Sequence, residues 1–223
     1  MKSHLEGFIK QLDVAFEIGQ SANFNVSNKN ITSVLICGIG GSGIGGTITS
    51  KSIADVCIVP VITCNDYHIP SFVNESTLII ASSYSGNTEE TITAVKAAMK
   101  KGAQLCAITS GGELKEICEK TGSNHIVIPG GNPPRTCLGY SLTEQIFALN
   151  KYGLIPNELI ENLKSASQLL KLEETNIKAE AKAVSEALVG KIPVLYSTDK
   201  FEPIALRFRQ QLNENSKMLA WHN

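Results

Sequence analysis

The chain has 223 residues, of which 43% are hydrophobic and 18% are charged. This composition supplies enough apolar side chains for a sizeable core, and it excludes a disordered chain, a collagen and a disulfide-rich miniprotein. Because single domains cluster at roughly 100 to 150 residues, the length predicts one large domain or one and a half ordinary ones.

The charges are balanced, with 20 Lys and Arg residues against 21 Asp and Glu residues. Since there is no basic run, a nucleic-acid partner and a polybasic membrane anchor are excluded. No apolar stretch approaches the roughly 18 residues of a membrane span, and the first residues carry Glu6 and Asp13 in a helical pattern, unlike a signal peptide. The sequence therefore predicts a cytoplasmic protein without a membrane partner.

The six cysteines form no C-x-x-C pair, and most of them lie inside apolar runs. Free buried thiols in a reducing compartment have this distribution. We expect no disulfide and no metal.

The first elements follow a helix, loop and strand pattern. Apolar residues three and four positions apart predict a helix over 3–18, and a polar, Asn-rich loop follows over 23–30. The continuous apolar run Val34 to Cys37 predicts a strand buried on both faces of a parallel sheet. It ends in a cluster of glycines, after which we expect a helix over about 43–54.

Strand and helix patterns then alternate along the chain. The predicted strands cover 57–63, 77–82, 104–109 and 125–128, and the predicted helices cover 88–101 and 112–120. This alternation predicts the α/β class, with a parallel sheet covered by helices. Ligands of such sheets bind at the carboxyl ends of the strands.

The second half begins after a loop of prolines and glycines at 129–134. Apolar stripes predict a helix over 138–149 and two separate helices, one from Leu159 to Leu170 and one from Ile177 to Leu188. A strand at 192–196 and a helix at 203–212 then begin a second α/β unit. The predicted organisation is an N-terminal helix and loop (1–29), an α/β domain (30–152), connecting helices (153–190) and an incomplete second α/β domain (191–223).

A glycine-rich segment, Gly38-Ile39-Gly40-Gly41-Ser42-Gly43, joins the first predicted strand to its helix and satisfies the pattern G-x-G-x-x-G. Glycines let the backbone approach an anion, and the N–H groups at the helix start point at it, so the segment predicts phosphate binding. A nicotinamide dinucleotide site also needs an acidic residue at the end of the second strand. Asp55 and Asp66 fit that position poorly, so an NAD-dependent oxidoreductase is kept only as an alternative.

A second polar segment, Ser82-Ser83-Tyr84-Ser85-Gly86-Asn87-Thr88, joins another predicted strand to its helix. Asn87 with Glu90 is interpreted as a helix-capping pair, which needs no ligand. The hydroxyls of Ser83 and Ser85 are not needed for a cap. We therefore expect both segments to converge on one phosphate.

Together the segments GIGGSG and SSYSGNTEET resemble the sugar isomerase (SIS) domain, and the resemblance extends from about residue 30 to the end. NPPRTCLGY and FRQQLNENSK are similar to the bifunctional phosphoglucose/phosphomannose isomerase branch of that superfamily. The resemblance implies a SIS-type parallel sheet with helices on both faces and the start of a second SIS-like domain. It also implies isomerisation of glucose 6-phosphate, mannose 6-phosphate or both to fructose 6-phosphate through an enediolate, with no cofactor, in a homodimer.

The same resemblance assigns roles to individual residues. It implies phosphate binding by four hydroxyls and two backbone amides, those of Ser42, Ser83, Ser85, Thr88, Gly40 and Gly41. It implies that Glu214 is the catalytic base and that Arg135 stabilises the enediolate. Without the resemblance, Glu214 would be interpreted as an ordinary acid on a solvated helix end.

The family's ring-opening histidine and lysine have no counterpart before Asn223. His222 is too near Glu214 to match that histidine, and Lys217 is no substitute for the lysine. A phosphosugar-binding SIS module without catalysis is therefore the first alternative to an isomerase, and a purely structural fragment is another.

Overall fold

The computed structural model describes residues 2–26 and 30–223, so part of the predicted Asn-rich loop lies outside the described residues. The chain divides into two compact units, residues 1–164 and 165–223.

The first unit is built on a five-stranded sheet in which every neighbouring pair is parallel. The strand order is β2-β1-β3-β4-β5. The strands are β1 (Ser33–Cys37), β2 (Val61–Cys64), β3 (Thr77–Ser82), β4 (Gln104–Thr109) and β5 (Asn124–Val127). β1 and β3 are neighbours in the middle of the sheet, so the segments that follow them leave the same edge side by side.

Helices cover both faces of this sheet, as predicted. They are α1 (Lys2–Glu6), α2 (Phe8–Ser21), α3 (Gly40–Ser52), α4 (Glu89–Lys100), α5 (Gly112–Thr121) and α6 (Leu138–Lys151). Alternate residues of a strand point to opposite faces. Ile36 packs in one buried cluster with residues of α2 and α6, and Leu35 packs in the other with residues of α4 and α5. The α/β prediction is confirmed.

Several predicted boundaries in this unit were wrong. β2 begins only at Val61, because the N–H of Cys57 donates to the carbonyl of Ile53 and the chain still closes the end of α3 there. The helix after the glycines begins at Gly40 rather than at residue 43. The predicted N-terminal helix is broken into α1 and α2 at Gly7.

The second unit contains the end of α7 (Glu158–Ala187), then β6 (Val194–Leu195), α8 (Glu202–Asn215) and β7 (Trp221–His222). β6 and β7 are parallel. The prediction of two helices between 159 and 188 was wrong, because α7 is one continuous helix of 30 residues and neither glycine nor proline interrupts it. The sequence prediction also missed β7 and made β6 too long.

The described residues contain neither a membrane-spanning helix nor a cluster of metal ligands. None of their helices is long and apolar enough to cross a membrane. Within the same part of the chain, no group of three or more His, Cys, Asp or Glu side chains is arranged to hold a metal ion. All six cysteines are free thiols.

Candidate functional site

The glycine turn, residues 38–43, connects β1 to α3. Gly40 lies in the left-handed region at φ +58°, where a side chain is disfavoured. A Cβ atom on Gly38 would lie 2.8 Å from the carbonyl oxygen of Ser82, so the glycine turn touches the end of β3. Because the first N–H groups of a helix have no acceptor within it, the start of α3 is suited to an anion.

The serine turn, residues 82–88, connects β3 to α4. The hydroxyls of Ser83 and Thr88 are hydrogen-bonded at 2.8 Å, and the N–H of Gly86 donates to Ser83 Oγ. Ser83 is buried, whereas Ser85 is exposed and its Oγ accepts the N–H of Asn87. The turn therefore holds its shape through Ser83 and presents Ser85 at its surface.

A close backbone contact fixes the serine turn against the loop between β4 and α5. Gly86 has φ +71°, and a Cβ atom there would lie 1.8 Å from the carbonyl oxygen of Gly111. The side-chain oxygen of Asn87 accepts the N–H of Glu113 at 2.9 Å. The predicted capping pair of Asn87 and Glu90 was thus wrong, because Asn87 serves the first turn of α5, and Thr88 precedes α4.

The arginine loop, residues 129–136, follows β5 and carries Arg135 in a short 3-10 helix, Pro134–Thr136. A Cβ atom on Gly41 would lie 3.0 Å from the carbonyl oxygen of Pro134 and 3.5 Å from Cα of Arg135. Arg135 is exposed. The glycine turn therefore contacts both the serine turn and the arginine loop, and all three belong to the first unit.

This arrangement is suited to an anionic ligand. The N-termini of α3 and α4 leave neighbouring strands at the same edge of the sheet, and the partial positive charge of a helix N-terminus favours negative groups there. Hydroxyls of the serine turn and one guanidinium-bearing loop lie beside them. Glu89 and Glu90 occupy the first turn of α4 and suit its dipole.

The sheet lacks the strand order of a dinucleotide-binding fold, and Asp66 is not placed as that site requires. The order β2-β1-β3-β4-β5 is the flavodoxin-like order, and the dinucleotide fold has the order 3-2-1-4-5-6. Asp66 is exposed, and its carboxylate accepts the N–H of Tyr67 in its own turn. This hydrogen bond lowers the pKa of Asp66.

Known proteins resemble the chain along most of its length. It is 42% identical over 221 residues to a bifunctional phosphoglucose/phosphomannose isomerase of Caldicellulosiruptor bescii, covering 96% of this chain and 65% of that protein. A protein of the same name from Thermoplasma acidophilum is 40% identical, with 100% of this chain and 68% of the relative covered. The chain belongs to this family. It spans about two thirds of the length of these two relatives.

Two further similarities agree with a SIS-type fold. The profile of the bacterial phospho-glucose isomerase C-terminal SIS domain matches residues 177–223. The C-terminal domain of glucosamine-fructose-6-phosphate aminotransferase from Francisella tularensis superposes with a TM-score of 0.75 at 16% identity, over 99% of this chain and 69% of that one. The predicted fold class and the predicted family are confirmed.

Glu214, the base expected from the family resemblance, lies in the second unit. It was predicted to follow a helix ending at 212, but α8 continues to Asn215, so Glu214 is in its last turn. The residue is exposed. Lys217 follows in the left-handed region at φ +54°, and His222 Nε2 lies 3.0 Å from a carboxylate oxygen of Glu202.

Sequence analysis missed two residues that contact the arginine loop. The Tyr84 hydroxyl lies at 2.9–3.0 Å from two backbone groups of that loop. The Gln11 amide donates to the carbonyl of Thr136 at 2.9 Å. Tyr84 lies within the serine segment, where a tyrosine is equally compatible with simple packing, and nothing in the sequence near Gln11 indicates its distant partner.

A pair of cysteines lies beside the glycine turn. Cys37 ends β1, Cys64 ends β2, and the two are opposite each other in the register. A hydrogen bond with the Cys37 thiol lowers the pKa of Cys64 to about 6. The same interaction, together with burial, raises the pKa of Cys37. Cys64 therefore loses its proton before Cys37 does.

Proposed function

We propose that the chain belongs to an aldose-ketose isomerase that interconverts glucose 6-phosphate, mannose 6-phosphate or both with fructose 6-phosphate. The observation that carries the proposal is the convergence of the glycine turn, the serine turn and the arginine loop in a member of this family. A predicted homodimer and a predicted cytoplasmic location stay predictions.

The phosphate of the sugar would bind between the two turns. The proposed donors are the hydroxyls of the serine turn and of the glycine turn together with the first amides of α3, that is Ser42, Ser83, Ser85, Thr88, Gly40 and Gly41. Since Ser83 is buried and its hydroxyl is bonded within the turn, we expect it to contribute chiefly by shaping the turn. Binding the remote phosphate positions the reacting carbons, which need not touch either turn.

The reaction moves one proton between C2 and C1 of the open-chain sugar. In the proposed mechanism the Glu214 carboxylate removes the proton from C2 of the aldose, and an enediolate forms. A proton passes from the C2 oxygen to the C1 oxygen, and the proton held by Glu214 is delivered to C1 to give the ketose. The guanidinium of Arg135 stabilises the enediolate charge, and one such donor contributes about 3 to 4 kcal/mol to a transition state. A metal or a nicotinamide has no part in this sequence of steps.

Exchange of the C2 hydrogen tests the role of Glu214. In deuterated water the wild-type protein is expected to exchange this hydrogen of glucose 6-phosphate or mannose 6-phosphate, and Glu214→Gln is expected to lose the exchange while still binding the sugar phosphate. Nuclear magnetic resonance follows the exchange, and calorimetry follows the binding. Glu186→Gln, which replaces an exposed glutamate of α7, is the matched control.

Each outcome separates the hypotheses. Unchanged exchange in Glu214→Gln would contradict the proposed base. Sugar phosphate binding by the wild-type protein without any hydrogen exchange would favour the alternative of a phosphosugar-binding module. If the wild-type protein neither bound the sugar phosphate nor exchanged its C2 hydrogen, phosphosugar recognition would be contradicted.

A further inference from the structure

Tyr84 connects the serine turn to the arginine loop through its side chain. Its hydroxyl donates to the carbonyl of Pro129 at 3.0 Å and accepts the N–H of Asn132 at 2.9 Å. The ring is 9% exposed and belongs to the buried cluster on the α2 and α6 side of the sheet. The Tyr84 hydroxyl is therefore hydrogen-bonded to two positions of the arginine loop, Pro129 and Asn132.

The backbone of Tyr84 is fixed as firmly as its side chain. Its carbonyl accepts the N–H of Ser110 at 3.0 Å and the hydroxyl of Ser110 at 2.7 Å. The preceding N–H, that of Ser83, donates to Ile108 and continues the pairing with β4. Tyr84 is therefore held on the sheet, and the arginine loop is held on Tyr84.

The carbonyl of Pro133 accepts the N–H and the hydroxyl of Thr136, so the end of the arginine loop is held by its own hydrogen bonds. The part before the two prolines is bonded to the Tyr84 hydroxyl. Pro133 and Pro134 have no N–H group to donate, so the N–H of Asn132 is the last backbone donor before Arg135. Gly130 and Gly131 precede it, and Gly131 lies at φ +87°, a position with wide backbone freedom. The bond from Asn132 to the tyrosine hydroxyl restrains the segment that leads to Arg135.

We propose that Tyr84 is a positioning residue, whose hydroxyl sets the distance between the phosphate-binding turns and Arg135. The inference rests on the proposed function, since it assumes a ligand that is held by its phosphate at the turns and meets Arg135 at its other end. Burial raises the pKa of Tyr84, so the hydroxyl keeps its proton and donates to Pro129 at neutral pH.

Two ligands distinguish a role of Tyr84 in positioning Arg135 from a role in protein stability alone. Inorganic phosphate reaches only the turns, whereas 6-phosphogluconate carries a second anionic group at C1, where the enediolate charge would develop. Tyr84→Phe removes both hydrogen bonds of the hydroxyl and should displace Arg135. Calorimetry should then show 6-phosphogluconate binding about tenfold more weakly, the effect of one hydrogen bond lost between Arg135 and the ligand, with phosphate binding nearly unchanged. Tyr140→Phe, which also removes a hydroxyl from a buried tyrosine of the same unit, should change neither.

A double-mutant cycle shows whether Tyr84 acts through Arg135. Arg135→Gln alone should weaken 6-phosphogluconate binding, and adding Tyr84→Phe to it should cost little more. The proposal is overturned if the two losses multiply independently, if Tyr84→Phe weakens both probes equally, or if it weakens neither.

Hydrogen exchange keeps the inference separate from the proposed function. In Tyr84→Phe the amides of Gly130, Gly131 and Asn132 should exchange faster while those of the serine turn stay protected, and unchanged exchange overturns the proposal. If the wild-type protein binds neither probe, the proposed function fails, and the exchange result alone decides whether Tyr84 holds the loop.

Discussion

Glu144 is a carboxyl group fully buried in α6. It is 0% exposed, and neither carboxyl oxygen has a hydrogen-bond partner among the described residues. Burial raises its pKa to about 9, although Lys151 lowers the pKa slightly. An isolated buried carboxylate is costly, so this group stays protonated at neutral pH.

This burial makes the stability of the protein depend on pH. Because the pKa is higher in the folded state than its ordinary value of 4.5, the unfolded chain releases the proton first, and stability falls as pH rises from about 4.5 to about 9. The limiting slope is about 1.4 kcal/mol per pH unit. Glu144→Gln should flatten it, as measured by urea unfolding at several pH values.

The matched control is Glu17→Gln, which replaces an exposed glutamate of α2. This variant should keep the slope of the wild-type protein. An unchanged slope in Glu144→Gln would contradict the buried, protonated carboxyl.

At the scale of elements, the serine turn depends on Gly86. Gly86 and Gly153 both lie at φ +71°, but a Cβ atom at 86 would meet the carbonyl oxygen of Gly111 at 1.8 Å, whereas no described atom lies within 4 Å of one at 153. Backbone strain alone costs an alanine about 1 to 2 kcal/mol at such a position.

Alanine substitution at the two glycines separates strain from contact. Gly153→Ala should lose about 1 to 2 kcal/mol of stability and keep its affinity for sugar phosphate. Gly86→Ala should lose more stability and also bind sugar phosphate more weakly, because the serine turn must move away from Gly111. Urea unfolding measures the stability and calorimetry measures the affinity. Equal effects of the two substitutions would contradict a role for the contact between Gly86 and Gly111.

The elements themselves were predictable to different degrees. β1 and β3 are continuous apolar runs, which is the pattern of strands buried on both faces, and the prediction placed them closely. α7 was divided because its apolar stripe is interrupted, although its many charged residues are good helix formers. β2 was misplaced because the apolar residues 57–59 lie in the loop after α3, where the N–H of Cys57 donates to Ile53 and that of Ile58 donates to Leu154.

For the whole molecule, the fold class followed from the order of elements. The family followed from the resemblance of the two polar segments together with NPPRTCLGY and FRQQLNENSK. The contacts of the arginine loop could not be predicted from the sequence, because they join residues that are far apart in the chain. Gln11 and Thr136 are 125 positions apart, and Tyr84 and Asn132 are 48 apart. Local patterns carry no information about such pairs.

The fold brings the glycine turn and the serine turn together by placing β1 and β3 side by side. Their carboxyl ends are in register, with Cys37 opposite Ala81, so the glycine turn and the serine turn must leave the sheet together. The arginine loop then packs against Gly41. Phosphate binding is thus proposed as a property of this edge of the sheet.

Calorimetric titration of the chain with glucose 6-phosphate and with glucose tests this claim most directly. Glucose 6-phosphate should bind, glucose should not bind at the same concentrations, and Ser42→Ala combined with Ser85→Ala should weaken binding about tenfold or more, since a hydrogen bond to a charged group is worth about 1.5 to 3 kcal/mol. Equal binding of glucose and glucose 6-phosphate, or unchanged affinity in the double variant, would contradict a phosphate site between the two turns.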